Sequence, residues 1–430
     1  MHILPLLILP LLSTASVLQH RYDHDHSHNV KRNLPSTWYH HPSHPVHSLF
    51  RRDENITYAP VGSTEWAAGY PPDPPALPDV KTIPAEWLAA LNDAIARKAI
   101  PDIPLSKNTT DDGNPVYPTG VDPNSPEICS STYQCRIPGD VWDAPAGFLG
   151  LSFDDGPEAG SGKLIEFLKT NNQQVTHFMI GSNIRDNPDA FIQEFNLGND
   201  IAVHTWTHPH MTTQSNEQVV AELGWTMQII HNSTNGRVPK FWRPPYGDSD
   251  KRVTAIAKEV FGLTTIIWNQ DTDDWSLTDS PPGTTAAKIN SSMHQWLTGP
   301  KTPGLIILEH ELSNQSVATF MSAYPVMQQQ NWNIMSLAQL IGQNASYQNA
   351  DNSTSPVNDV NIINAKSGSP PSAPSSTSST PTNLQASGQP SVVSSNPSPT
   401  SSTKPNSASP RWVMGPTAIL SVAVIFMLWR

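Results

Sequence analysis

Five short clusters along the chain combine residue types that can do chemistry. Ser152-Phe153-Asp154-Asp155-Gly156-Pro157 sets two adjacent carboxylates before a Gly-Pro turn, which is costly unless a cation or a proton relieves their repulsion. His204-Thr205-Trp206-Thr207-His208 places two imidazoles four apart, able to face one cation if the segment is helical. The zinc-protease motif shares this spacing but needs Glu after its first His; Thr205 stands there, so a protease would lack its general base. Arg243-Pro244-Pro245-Tyr246-Gly247, Asp271-Thr272-Asp273-Asp274-Trp275 and Ile306-Ile307-Leu308-Glu309-His310 come next along the chain. Taken singly, these last three read as a turn, an acidic loop and a buried histidine.

The elements that must position them alternate. Phe148 to Phe153 reads as a strand, Gly162 to Thr170 as a helix and Val175 to Ile180 as a strand. The alternation continues through 201–203, 215–231, 250–261, 264–268, 284–297, 304–308 and 315–330. Repeated strand-helix units of this length imply a parallel sheet, open or closed into a barrel, with chemistry at the carboxyl ends of strands. The aspartate pair, the histidine pair and His310 each end a strand in this reading.

In order and spacing the five clusters resemble the motifs of the polysaccharide deacetylase family, also called carbohydrate esterase family 4 or the NodB homology domain, over residues 147–342. The resemblance implies an α/β fold, a distorted (β/α) barrel of the NodB homology type. It also implies that Asp155, His204 and His208 hold a divalent metal, usually zinc, with cobalt the alternative. Asp154 would be the general base, and Arg243 would orient it and hold it ionised. The backbone N–H of Tyr246 would face the oxyanion, Leu308 would line the acetyl pocket, Trp275 would wall it and His310 would be the general acid. Asp274 would support His310, although Asp271 and Asp273 leave the choice between Asp271 and Asp274 open. Ser152 replaces the commoner Thr, and Ile306 stands where Leu is frequent. Signal, stalk and tail resemble those of fungal wall chitin deacetylases.

The chemistry follows from residue types as well. Hydrolysing an acetamide needs an activated water, a place for charge on the carbonyl oxygen and a proton for the departing amine. A metal with one carboxylate and two imidazoles supplies the first two, and a base and a protonated imidazole move the protons. Chitin or partly acetylated chitosan is the expected partner, with no protein partner. An O-acetyl esterase acting on xylan and a non-catalytic glycan-binding wall protein are the alternatives.

Composition frames this core. The chain has 430 residues and a formal charge of -12, so no basic excess points to nucleic acid. Of 42 prolines only 11 lie between positions 158 and 366, which places the compact part there and extended, disordered flanks on either side. Residues 1–18 read as a secretory signal peptide, with the apolar run Leu4 to Leu12 before small residues. Residues 19–146 read as a Pro-rich region with a short helix at 84–99 bearing Trp87, Leu88, Leu91 and Ile95 on one face. Its eight histidines between 20 and 47 make a polar leader or a metal-binding tail, and Lys31-Arg32 and Arg51-Arg52 are candidate processing sites. The catalytic domain is expected at 147–345. Residues 346–410 read as a stalk, because 367–410 hold 16 Ser, 5 Thr and 9 Pro. The apolar tail at 411–430 reads as a glycolipid-anchor signal with Ser407 as attachment site, against a spanning helix ending at Arg430. Secretion to the outer face of the plasma membrane and the wall agrees with sequons at Asn55, Asn108, Asn232, Asn290, Asn314, Asn344 and Asn352. In that oxidising compartment Cys129 and Cys135 read as a disulfide.

Overall fold

The computed structural model describes residue 40, residues 43–50, 58–72, 74, 76–108 and 113–357. The signal peptide, the histidines at 24, 26 and 28, both dibasic pairs, Asn55, Ser407 and the tail lie outside the described residues, as does the stalk beyond residue 357. Among the described residues no helix is long and apolar enough to cross a membrane.

Among the described residues eight strands form one parallel sheet: β1 (Phe148–Asp154), β2 (Thr176–Met179), β3 (Asp200–Val203), β4 (Phe241–Trp242), β5 (Thr264–Thr265), β6 (Gln270–Asp271), β7 (Leu305–Leu308) and β8 (Asn333–Ser336). The order is β5-β4-β3-β2-β1-β7-β6, with β8 also on β1. β1 is central and almost wholly buried, as expected of a parallel strand covered on both faces. The sheet's two ends lie close in sequence. Thr265 pairs with Trp242 of β4, and only six residues later Asp271 pairs with Leu308 of β7, so one short segment curls the sheet into a barrel. Helices fill the crossovers, including Gly181–Asp186 and Pro188–Asn196 between β2 and β3, a stretch with no clear periodicity in the sequence. Asn187 at the cap position, Pro188 at the first helical turn and Asp189 after it mark the start of the second of these helices.

The N-terminal flank departs from the expected disorder, and the folded unit starts well before residue 147. The helix Ala85–Ala96 lays Trp87, Leu91 and Ala94 on the helices Asn216–Ser233 and Lys251–Phe261, in one core with Val46, Phe50 and Trp66. Gly224 makes this close approach feasible, since a Cβ there would meet the Trp87 ring at 2.3 Å. Ile95 falls off the buried face and is 41% exposed. Burying such indoles contributes several kcal/mol toward ordering a proline-rich segment.

The stalk likewise begins later than residue 346. Tyr347 is buried and its hydroxyl accepts a hydrogen bond from the Ile201 amide (3.0 Å), while Gln348 donates to the carbonyls of Pro239 and Phe261. Arg237 reaches the Ser355 carbonyl. Polar composition conceals a segment that fills backbone acceptors of the barrel.

Candidate metal centre and active site

The aspartate pair sits at the end of β1, where the two side chains diverge. Asp155 adopts φ of 74°, a left-handed conformation that Asp tolerates better than most residues. Its Oδ1 lies 3.1 Å from His204 Nε2 and 3.2 Å from His208 Nε2. The three ligand-type atoms fall within 4.8 Å of one another.

His204 and His208 do not share a helix. They are brought together by an irregular loop after β3 in which Thr205 (φ 67°) and His208 (φ 60°) are left-handed. The Thr205 hydroxyl accepts from the His208 amide at 3.1 Å. Glu222, fully buried on the helix Asn216–Ser233, accepts from the amides of Trp206 and Thr207 (both 2.8 Å) and from the Thr207 hydroxyl (2.6 Å). Burial pushes the Glu222 carboxyl up to about 7, with these donors opposing.

The donor set fits a metal. His204 Nδ1 faces the Arg243 carbonyl at 2.8 Å, so this nitrogen carries the proton and Nε2 keeps its lone pair toward Asp155. Asp155 Oδ1 is buried without a hydrogen-bond donor. Imidazole nitrogens and a carboxylate oxygen converging this closely call for a proton or a metal cation between them, and three such atoms around one point suit a metal. Burial opposes the charge on Asp155, but positive charge at His208, with its contacts to His204 and His208, holds the carboxyl well below the usual range. A bound cation acts in the same direction.

Asp154 points to the other side. Arg243 Nη1 donates to its Oδ1 at 2.6 Å and to Ser152 Oγ at 3.1 Å, and the guanidinium lies 4.2 Å from the Phe178 ring centroid. Burial lowers Arg243 from its ordinary value, and the charge and hydrogen bond of Asp154 oppose that shift. Asp154 Oδ2 lies 4.0 Å from His204 Nε2, beside the triad.

His310 closes the opposite flank. Its Nδ1 faces Asp274 Oδ1 at 2.6 Å, its amide donates to Asp274 Oδ2 at 2.9 Å, and Nε2 lies 4.0 Å from Asp155 Oδ2. The partner is therefore Asp274; Asp271 Oδ1 is occupied by the Asp273 amide. Burial alone would lower His310, but the charge and hydrogen bond of Asp274, then Asp155 and Asp154, raise it to about 10. Leu308 is buried at the end of β7, and the Thr272 hydroxyl donates to its carbonyl. Tyr246 (56% exposed) and Trp275 (48% exposed) stand at the rim. Tyr246 stacks on His210 and meets His208 edge-on.

The residues expected as ligands (Asp155, His204, His208), as base and acid (Asp154, His310) and as their partners (Arg243, Asp274) thus converge, while Glu222 escapes sequence reasoning. Glu222 has a signal: a lone acid inside the apolar run Val219 to Trp225.

A second cluster uses similar residue types. His177, Glu194 and Glu311 are fully buried with ligand-type atoms within 4.8 Å of one another. Here His177 Nδ1 bonds Glu311 Oε1 at 2.8 Å and the Ser161 hydroxyl donates to Glu311 Oε2. Burial, then the Glu311 charge, pushes Glu194 well above the usual carboxylate range, so it keeps a proton.

The cysteines Cys129 and Cys135 are bonded. Asn108, Asn290, Asn314 and Asn344 are exposed and Asn352 is half-buried. Asn232 lies within a helix, donating to the Tyr70 hydroxyl and accepting from Gln228, with Ser233 and Thr234 buried.

Residues 143–266 match the polysaccharide deacetylase family model. The chain is 42% identical over 308 residues to chitin deacetylase 3 of Cryptococcus neoformans, covering 71% of this chain and 72% of that protein. It is 35% identical over 223 residues to the chitin deacetylase of Amylomyces rouxii, covering 48% and 52%. The solved chitin deacetylase of Colletotrichum lindemuthianum aligns with a TM-score of 0.44 at 21% identity, over 49% of this chain and 96% of that one. With its motifs converging on one site and a relative matched over most of its length, the chain belongs to the polysaccharide deacetylase family.

Proposed function

We propose that the chain hydrolyses the N-acetyl groups of N-acetylglucosamine residues in chitin, giving chitosan and acetate. The observation that carries this reading is the placement of a base, Asp154, and an acid, His310, on either flank of the Asp155–His204–His208 triad. A divalent metal on that triad, zinc or cobalt, would supply Lewis acidity toward the acetyl carbonyl and a nearby water.

Asp154 takes a proton from the attacking water on Oδ2, because Oδ1 is held by Arg243. The Tyr246 backbone N–H stabilises charge on the former carbonyl oxygen. His310, kept protonated by Asp274, gives its Nε2 proton to the departing nitrogen as the C–N bond breaks. Water is thereby divided between acetate and the free amine. An amine leaves an acyl centre only with a proton, whereas an alcohol needs less help, so the Asp274–His310 couple favours an amide over an O-acetyl ester. Trp275 and Tyr246 line the entrance for sugar rings.

The apolar leader, the stalk composition and the apolar tail in the sequence support secretion, glycosylation at the exposed sequons, and attachment to the outer face of the plasma membrane through a glycolipid near Ser407. Acetate release from chitin oligomers, with and without chelator, tests the reading: no release overturns the activity, and release unaffected by chelator overturns the metal-dependent mechanism. Phospholipase treatment tests the anchor, and retention in the membrane fraction favours a spanning helix.

A further inference from the structure

The turn that carries Tyr246 is held from outside the region matched by the family model. Tyr246 and Gly247 both have positive φ, 58° and 65°. For a non-glycine residue this costs about 1–3 kcal/mol and persists only where the surroundings over-determine it. The surroundings here are Ser131 and Thr132, which precede residue 143 and lie in the loop closed by Cys129–Cys135. The Ser131 hydroxyl donates toward the carbonyls of Gly247 (2.7 Å) and Ser249 (3.0 Å) and accepts from the Ser249 amide (3.1 Å). The Ser131 amide donates to the Ser249 carbonyl at 2.9 Å. Thr132 Oγ1 donates to Asp248 Oδ1 at 2.7 Å. Buried Asp248 in turn accepts from the amide and hydroxyl of Thr212. The turn is therefore clamped on one side by the disulfide loop and on the other by the segment after the metal histidines.

We infer that the loop Cys129–Cys135 is a positioning element of the active site: its Ser131 and Thr132 hydroxyls fix the Tyr246–Gly247–Asp248 turn, so that the Tyr246 N–H stands where charge develops on the acetyl oxygen. The role of that N–H rests on the proposed hydrolysis. Covalent closure over a separation of six residues limits the loop's alternative conformations, which is what a support for a strained turn requires. The hydrogen bonds of the two hydroxyls go to the turn and not to the metal triad, so loosening the loop acts on turnover and leaves the metal in place.

The test uses the full-length secreted protein and four variants: Ser131→Ala, Thr132→Val, Thr132→Ser and the pair Cys129→Ser with Cys135→Ser. kcat, KM and bound metal per chain are measured on whichever acetylated substrate the wild type turns over. Ser131→Ala, Thr132→Val and the cysteine pair are expected to lose about tenfold or more in kcat, a part of what one oxyanion donor is worth, with KM and metal content unchanged. Thr132→Ser, which keeps the hydroxyl, restores turnover. Should the cysteine pair fail to fold, Ser131→Ala and Thr132→Val carry the test with the disulfide intact. A kcat within about twofold of wild type in these variants overturns the inference, as does a loss of kcat that tracks a loss of metal. A wild type that releases acetate from an O-acetyl glycan and not from chitin sinks the proposed substrate and leaves the variant series able to decide the role of the loop.

Discussion

Asp155, His204 and His208 at the strand ends, and His177, Glu194 and Glu311 between β2 and the helix Pro188–Asn196, are built from nearly the same side chains at nearly the same spacing. Two differences separate them. The first cluster opens to solvent through His208, whose side chain is 23% exposed, while the side chains of His177 and Glu311 are at 0%. In the first, His204 spends Nδ1 on a carbonyl and turns a lone pair toward the carboxylate; in the second, His177 turns Nδ1 straight onto Glu311, and Ser161 takes the other oxygen. Both clusters hold buried atoms without a hydrogen-bond partner, Asp155 Oδ1 in the first and His177 Nε2 with both Glu194 oxygens in the second, but a proton retained on Glu194 lowers the charge of the sealed cluster. Residue type therefore proposes a site, and access from solvent decides it.

Substitutions in each cluster put this contrast at risk. The largest effect belongs to the open cluster: Asp155→Asn is expected to abolish acetate release together with bound metal, and Asp154→Asn to cost about 10²–10⁴-fold in kcat with metal retained, read by elemental analysis beside kinetics. A full complement of metal in Asp155→Asn would remove this carboxylate from the ligand set. In the sealed cluster the effect should appear in stability. Glu311→Ala, which leaves His177 without its partner, is expected to cost about 3–5 kcal/mol in chemical denaturation while the surviving folded protein binds metal as the wild type does. Metal loss in that variant would make the second cluster a ligand site after all.

Glu222 marks the boundary between the two roles, being a sealed acid that serves the open site. Glu222→Ala is expected to weaken metal affinity about 10–100-fold, measured by chelator competition, with activity recovered at high metal concentration. The smallest effect is a pH dependence. Glu194 is raised in the folded state, so its contribution is fully present below the ordinary Glu pKa near 4.5 and is lost as pH rises toward its folded value. Glu194→Gln cannot ionise, and its melting temperature should fall less than that of wild type between pH 5 and 9, by about 3 °C. Parallel curves would show that Glu194 holds no proton worth measuring.

The barrel and the five motif clusters are legible because parallel strands covered on both faces read as short apolar runs and their polar ends stand out. Which acid serves His310 is not legible, since Asp271 and Asp274 differ only in how the turn at Asp273 directs them. The loop of His204 and His208 carries no helical periodicity, and its left-handed residues are neither Gly nor Asn. In the N-terminal segment the helix at 84–99 and its need for a partner are legible, but the order around it is hidden because proline suggests extension, and its seat depends on a distant glycine that makes room for Trp87. Ser131 and Thr132 act on backbone carbonyls and one acid, partners that leave no trace in their own sequence.

The handover from β4 to β7 within one short segment makes the barrel's girth a matter of covalent length. Adding a residue between Ile266 and Asn269 would displace the downstream chain by about 3.3 Å, more than the whole of the 2.6 Å link between Asp274 and His310. Natural length variation should therefore be absent there and tolerated in the exposed loop Asp279–Gly283, so that the perimeter, more than any single side chain, sets where the acid stands.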